Sequence, residues 1–141
     1  MTRLLAVAAI VTLLLFVVGS ARSLDGPRLV RVIAVTVDEQ GESEETSDEL
    51  FVDVDLRGSA GNLVGSGALR CVTGLDVADC LGTYVLQRGR IMVQGTRQRR
   101  DFYVLAVVGG TGIYSNIGGT LVATTLNLGP RRERLLFSLE P

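Results

Sequence analysis

The chain has 141 residues, 47% of them hydrophobic, 21% charged and 5% aromatic, which is room for one compact domain. Its 14 basic residues, all Arg, face 15 acidic ones for a net charge of −1, so global electrostatics give no argument for nucleic acid. The absence of His and Lys excludes Ser-His-Asp and Cys-His nucleophile systems, His-ligated metals, Schiff-base chemistry and a phosphate-loop lysine, leaving Asp, Glu, Tyr, Arg or a thiol for any polar chemistry.

The first element is apolar. Met1-Thr2-Arg3 precedes a run from Leu4 to Val18 broken only by Thr12, then Gly19-Ser20-Ala21-Arg22-Ser23. One early positive charge, a short apolar core and a small-residue exit describe a signal peptide over residues 1–21, with a short linker over 22–28 and a domain over 29–141. The run is shorter than the ~20 residues that span a bilayer. The alternative is an uncleaved anchor, which would be the chain's one membrane contact. Either reading places the domain in a secreted or cell-envelope location.

The remainder reads as strands. Leu29–Val37 is rich in β-branched residues, and Phe51–Leu56 alternates, with Val52, Val54 and Leu56 on one face and Phe51, Asp53 and Asp55 on the other. Between them Asp38–Glu49 is acidic and reads as a solvated loop or a lid over a barrel mouth. Leu63–Val72 is a third strand. Thr83–Gln87 and Ile91–Gln94 flank a tight turn at Arg88-Gly89-Arg90. Phe102–Val108 follows, and Thr120–Leu128 and Arg134–Leu139 flank Gly129-Pro130. Eight short strands with interior glycines predict an all-β fold, an eight-stranded antiparallel β-barrel whose lumen holds side chains or one small ligand. Cys71 and Cys80 are the two cysteines, and an even count in an exported chain predicts one disulfide between them.

The most informative string is Leu105-Ala106-Val107-Val108-Gly109-Gly110-Thr111-Gly112-Ile113-Tyr114, running on to Gly118-Gly119. It is no dinucleotide fingerprint: a third glycine is needed at 115, where Ser115 stands, and no helix pattern follows. This string resembles the late-strand signature of dirigent proteins and the matching stretch of allene oxide cyclases. Asn62-Leu63-Val64-Gly65-Ser66-Gly67 resembles a second dirigent strand, and Ile91-Met92-Val93-Gln94-Gly95 a strand of both families. The resemblance covers roughly residues 30–139 and implies a calycin-type eight-stranded barrel. It implies a small apolar organic molecule as partner, no cofactor, and an isomerase- or cyclase-type activity that steers cyclisation or coupling. A third branch of the same barrel, the spirotetronate-type cyclases, closes rings by cycloaddition. Where allene oxide cyclases keep a first-strand glutamate this chain has Val35-Thr36-Val37, which argues against that particular activity. The competing reading is a carrier or structural barrel without catalysis. A homo-oligomer is compatible with either.

The resemblance also suggests site residues. Anchored on Leu56, Asp53 falls on the first dirigent aspartate, with Asp55 one place beyond the second. Two carboxylates in a lumen would raise one another's pKa and supply a proton donor, so Asp53 is expected to face inward with Asp55 and Phe51. The alternative puts all three in solvent, with Val52, Val54 and Leu56 in the core. Tyr84 is the candidate phenolic acid, against a packing role. Arg70 and Arg90 are candidate partners of the aspartates across the lumen, and Tyr103 and Tyr114 candidate ligand-binding residues, each with an ordinary surface or packing role as alternative. Arg97-Arg99-Arg100 and Arg131-Arg132-Arg134 read as solvated clusters beside turns, or as a surface attracted to anions. No metal site is expected.

Overall fold

A computed structural model describes residues 28–44, 47–74, 77–98 and 101–141. The expected signal peptide and most of the linker lie outside the described residues.

Eight strands run in chain order: β1 (Leu29–Glu44), β2 (Ser47–Arg57), β3 (Leu63–Thr73), β4 (Ala78–Leu86), β5 (Gly89–Arg97), β6 (Phe102–Gly112), β7 (Gly118–Leu128) and β8 (Arg131–Glu140). Each pairs antiparallel with the next, and β8 closes on β1 to make a barrel. Closure pairs β1 with β8 over Leu29–Val35, beyond which β1 pairs with β2 alone. Register shifts leave one extra residue at Val37, Val64, Val108 and Leu126, where a bulge bends its strand. Three of these, Val37, Val108 and Leu126, are exposed, because the extra residue is turned out of the alternation.

The acidic segment differs from the expected loop. Gln40 pairs with Phe51 and Glu44 with Ser47, so β1 and β2 continue as an antiparallel ribbon, with β3 still paired to β2 as far as Asp48. Asp38, Glu39, Gln40 and Gly41 are exposed, and alternation alone is silent about so polar a strand.

Period-two alternation fills the lumen. Leu56, Ile91, Val93, Leu105, Leu121, Leu135 and Phe137 are each at most 1% exposed. Burying a side chain of this size contributes about 1.5–3 kcal/mol before the cost of chain entropy. One end is closed by the β6–β7 turn. Tyr114 is buried there, 5% exposed, in the apolar cluster that Ile113, Ile117 and Leu86 also pack against. Gly112 holds φ +64°, and a Cβ there would collide with the Arg88 carbonyl oxygen. Gly110 would collide likewise with Arg90 and Tyr114. The glycine string thus serves close packing of a turn on the β4–β5 hairpin.

Cys71 and Cys80 sit directly opposite each other on β3 and β4, facing inward, and form the expected disulfide with Cα atoms 4.1 Å apart.

Candidate functional site

The inward face of β8 carries Arg131, Glu133, Leu135, Phe137 and Leu139 in strict alternation. Three of these are apolar and hold the strand's register against the core. The same alternation therefore turns Glu133 into the lumen at the end opposite Tyr114. At 9% exposure it is the buried charged residue among those described. Its cross-strand neighbours are small or short: Ala34 on β1 and Thr125 on β7. Ala123 lies opposite Tyr103, which leaves room for that ring beside the carboxylate.

Both oxygens of Glu133 are occupied. The Tyr103 hydroxyl donates to Oε2 at 3.0 Å. Arg131 donates to Oε1 through Nε at 3.1 Å and Nη2 at 2.7 Å. A buried carboxylate needs such partners, since desolvation without them costs several kcal/mol. Burial would weaken the Arg131 charge, but its hydrogen bonds and attraction to Glu133 outweigh this and hold the guanidinium protonated more firmly than usual, with Glu39 of the ribbon adding to the pull.

Arg97 closes the group from β5. It follows Ile91, Val93 and Gly95 on the inward face, and its guanidinium carbon lies 4.5 Å from the centre of the Tyr103 ring. Deeper in, Tyr84 packs edge-on against Phe137 with ring centres 5.3 Å apart. Burial is the main force pushing both the Tyr84 and Tyr103 phenols far above the ordinary tyrosine range; Glu133 adds to it, and Arg97 opposes it. Both phenols are therefore neutral donors at any physiological pH. Thus β4, β5, β6 and β8 bring two phenols, two guanidiniums and one carboxylate together at a single mouth.

Several expected site residues stand elsewhere. Asp53 and Asp55 do not face the lumen. Val54 and Leu56 do, opposite Gly67 and Gly65, so Asp53 is exposed on the outer wall and Asp55 pairs there with Arg57 at 3.5 Å. Phe51 shares that outer face and is covered by Arg70, whose guanidinium carbon lies 5.7 Å from the ring centre and which also pairs with Glu49. Phe51 and Arg70 are thus an outer-wall contact, because three aliphatic residues on the other face of β2 outweigh one aromatic. Arg90 is exposed at the opposite end, beside Thr111. Tyr114 closes that end and is distant from Glu133. Tyr84 and Tyr103 do meet in the lumen. Arg97 and Arg131, expected as solvated clusters, point inward. Among the described residues no group of three His, Cys, Asp or Glu is arranged to hold a metal.

No protein-family profile matches the chain. No curated protein matches it either. Solved structures do. A pyocyanin demethylase superimposes with a TM-score of 0.71 at 19% identity, over 79% of this chain and 99% of its own. A Diels-Alderase from Streptomyces koyangensis superimposes with a TM-score of 0.66 at 13% identity, over 79% and 63%. A pterocarpan synthase dirigent protein does so with a TM-score of 0.62 at 12% identity, over 79% and 84%. The glycine string, the closed antiparallel meander and these likenesses agree that the chain has the eight-stranded barrel fold of the dirigent and cyclase proteins.

Proposed function

We propose that this barrel binds a small, largely apolar organic molecule at the mouth lined by Glu133 and steers its cyclisation. The observation that carries the reading is the one buried carboxylate among the described residues, aimed into the lumen and held by a phenol and a guanidinium. The names of its structural neighbours, a Diels-Alderase and a pterocarpan synthase dirigent protein among them, support ring closure as the reaction class. The disulfide supports an exported protein, since such bonds persist in oxidising compartments.

The chemistry needs no oxidant. As a ligand hydroxyl attacks an unsaturated carbon, its proton passes to Glu133 Oε2. The Tyr103 hydroxyl, released from Oε2, donates a hydrogen bond to the oxygen where negative charge develops. The proton then returns to that oxygen, and the product is an isomer of the substrate. Arg131 holds the carboxylate in place through two hydrogen bonds. The apolar wall below it excludes water and sets which face of the ligand reacts. Coupling would draw on the same orientation, applied to radicals made by an external oxidant.

A hydroxylated quinone methide that closes spontaneously to a racemic ether tests this. Wild-type protein is expected to give one enantiomer in excess, and Glu133→Gln a racemate. A racemate from wild type, with the Glu133 carboxyl resonance unmoved by the compound, would refute steering. A second reading, binding without chemistry, is favoured by the aliphatic side chains that occupy the middle of the lumen. It predicts a moved resonance and a racemate.

A further inference from the structure

The carboxylates near the mouth act on Arg131 and not on Arg97. Arg97 and Arg131 are two cations facing inward, and Glu133 is the buried anion, hydrogen-bonded to Arg131. Both Glu133 oxygens are taken by Arg131 and Tyr103, which leaves none for Arg97. Glu39, on the inner side of the ribbon opposite Val52, acts on Arg131 and is exposed to water. Among the described residues Arg97 has neither a carboxylate partner nor a side-chain hydrogen bond. Its guanidinium carbon lies 4.5 Å from the centre of the Tyr103 ring, a cation–π contact. A planar guanidinium presents a fork of N–H groups that grips a carboxylate through two parallel hydrogen bonds. The nearby wall is apolar: Leu50 on β2, Ala78 on β4 and the inward Cys71–Cys80 bridge.

We infer that Arg97 is the anion-binding residue of this mouth, and that the ligand is an apolar organic acid whose carboxylate docks on Arg97 while its body lies over Tyr103 and Glu133. The inference rests on the ligand-binding reading of the same site and adds the substrate class to it. The carboxylate supplies the ion-pair partner that Arg97 lacks among the described residues. It also places the reacting part of the molecule toward Glu133, because like charge keeps the acid end away from that residue.

Naphthoate and the neutral naphthamide serve as probes, followed by their own fluorescence. Wild type is expected to bind naphthoate roughly tenfold or more tighter than naphthamide, a charge-assisted pair against a neutral one. Arg97→Gln removes that preference. Arg97→Lys restores part of it, having the charge without the fork, and rising salt weakens what it restores. Arg90→Gln, at the other end of the barrel, leaves it intact. If Arg97→Gln retains the preference, or wild type shows none, Arg97 is not the anion site while the lumen still binds organic molecules. Should Arg97→Gln fail to fold, a lysine variant identical to wild type for both probes overturns the assignment. If wild type binds neither probe, this inference and the ligand-binding reading fall together.

Discussion

Tyr103 on β6 donates its phenolic proton to Glu133 on β8 across 3.0 Å, two strands apart and inside the barrel wall. The strand between them, β7, contributes Ala123, which makes the approach sterically open. The bond satisfies two polar groups at once, and in low dielectric each depends on the other.

Removing one partner should therefore cost more than removing both in proportion. Tyr103→Phe leaves Glu133 Oε2 without its donor, and Glu133→Gln breaks the Arg131 ion pair. Each is expected to lower stability by about 1–3 kcal/mol in chemical denaturation. The double variant should lose less than the sum, with a coupling of at least about 0.5 kcal/mol. Strict additivity would mean the contact contributes nothing.

Alkaline pH should act through the phenols. Tyr84 and Tyr103 have folded-state pKa values raised above the ordinary 10.0, chiefly by burial. A raised pKa favours the folded state fully below the unfolded value. That contribution is lost as pH rises from 10.0 towards the folded values. Phenolate absorbance should consequently lag behind that of the denatured chain above this pH. The two inner phenols should ionise together with unfolding, whereas their independent titration in the folded protein would place them in water.

The barrel was legible in the sequence because its evidence is local. Alternation over Phe51–Leu56, the short apolar run Phe102–Val108, glycines beside strands and two tight turns specify short antiparallel strands, and eight of them close. The site was less legible. Starting the last strand at Arg134 cut the alternation of Leu135, Phe137 and Leu139 one step short of Glu133, which lies on the same face. Extending that period would have found both Glu133 and Arg131. Asp53 illustrates the opposite error. The dirigent-like match at Leu56 points Asp53 inward, but Val52, Val54 and Leu56 share the opposite face of β2, and Arg70 from the neighbouring strand covers the Phe51 ring on the outside. Which strands bring Arg97 over Tyr103 is a matter of register across β5 and β6, shifted by the bulge at Val108, and no single-strand pattern contains it.

Asp53 is consequently a control for Glu133. It stands opposite Asp38 on the outer surface of the β1–β2 pair, and like charges facing one another there are unfavourable. Asp53→Asn should leave stability within about 0.5 kcal/mol of wild type, or raise it slightly, and should not alter binding of an organic probe. A loss of binding in this variant would return the site to β2.

The Cys71–Cys80 bridge should be structural. It links adjacent strands at positions nine apart in sequence, and both residues are 2% exposed. Replacing both with Ala restores the freedom of a loop of about ten residues in the unfolded chain, roughly 2.5–3 kcal/mol in the chain-entropy account. Urea midpoints of the oxidised protein and of the double variant measure the difference. Equal midpoints would show that strand pairing alone sets this corner. Thiol titration of the denatured, unreduced protein should find no free thiol.

Gly67 provides the most direct link between packing and site. It lies on β3 directly opposite Tyr84, and it is buried beneath that ring. A Cβ at this position would stand 2.5 Å from Tyr84 Cδ1, 2.8 Å from Cε1 and 3.0 Å from Val54 Cγ2. The ring has little room to retreat, since its other neighbour is the Phe137 edge with centres 5.3 Å apart. Gly67→Ala should force an overpacked core, at a cost of about 1–3 kcal/mol. The displacement is expected to reach the mouth, because the Tyr84 phenol interacts electrostatically with Tyr103, Glu133 and Arg97. Aromatic resonances of Tyr84 should move most, followed by those of Phe137 and Tyr103, while Tyr114 at the closed end stays in place. Gly118→Ala is the comparison: a Cβ there meets only the Val107 carbonyl oxygen at 3.8 Å, ordinary contact, and stability should scarcely change. If Gly67→Ala were equally silent, the Tyr84 ring would have to sit elsewhere in the lumen, and the arrangement of phenols around Glu133 would have to be redrawn.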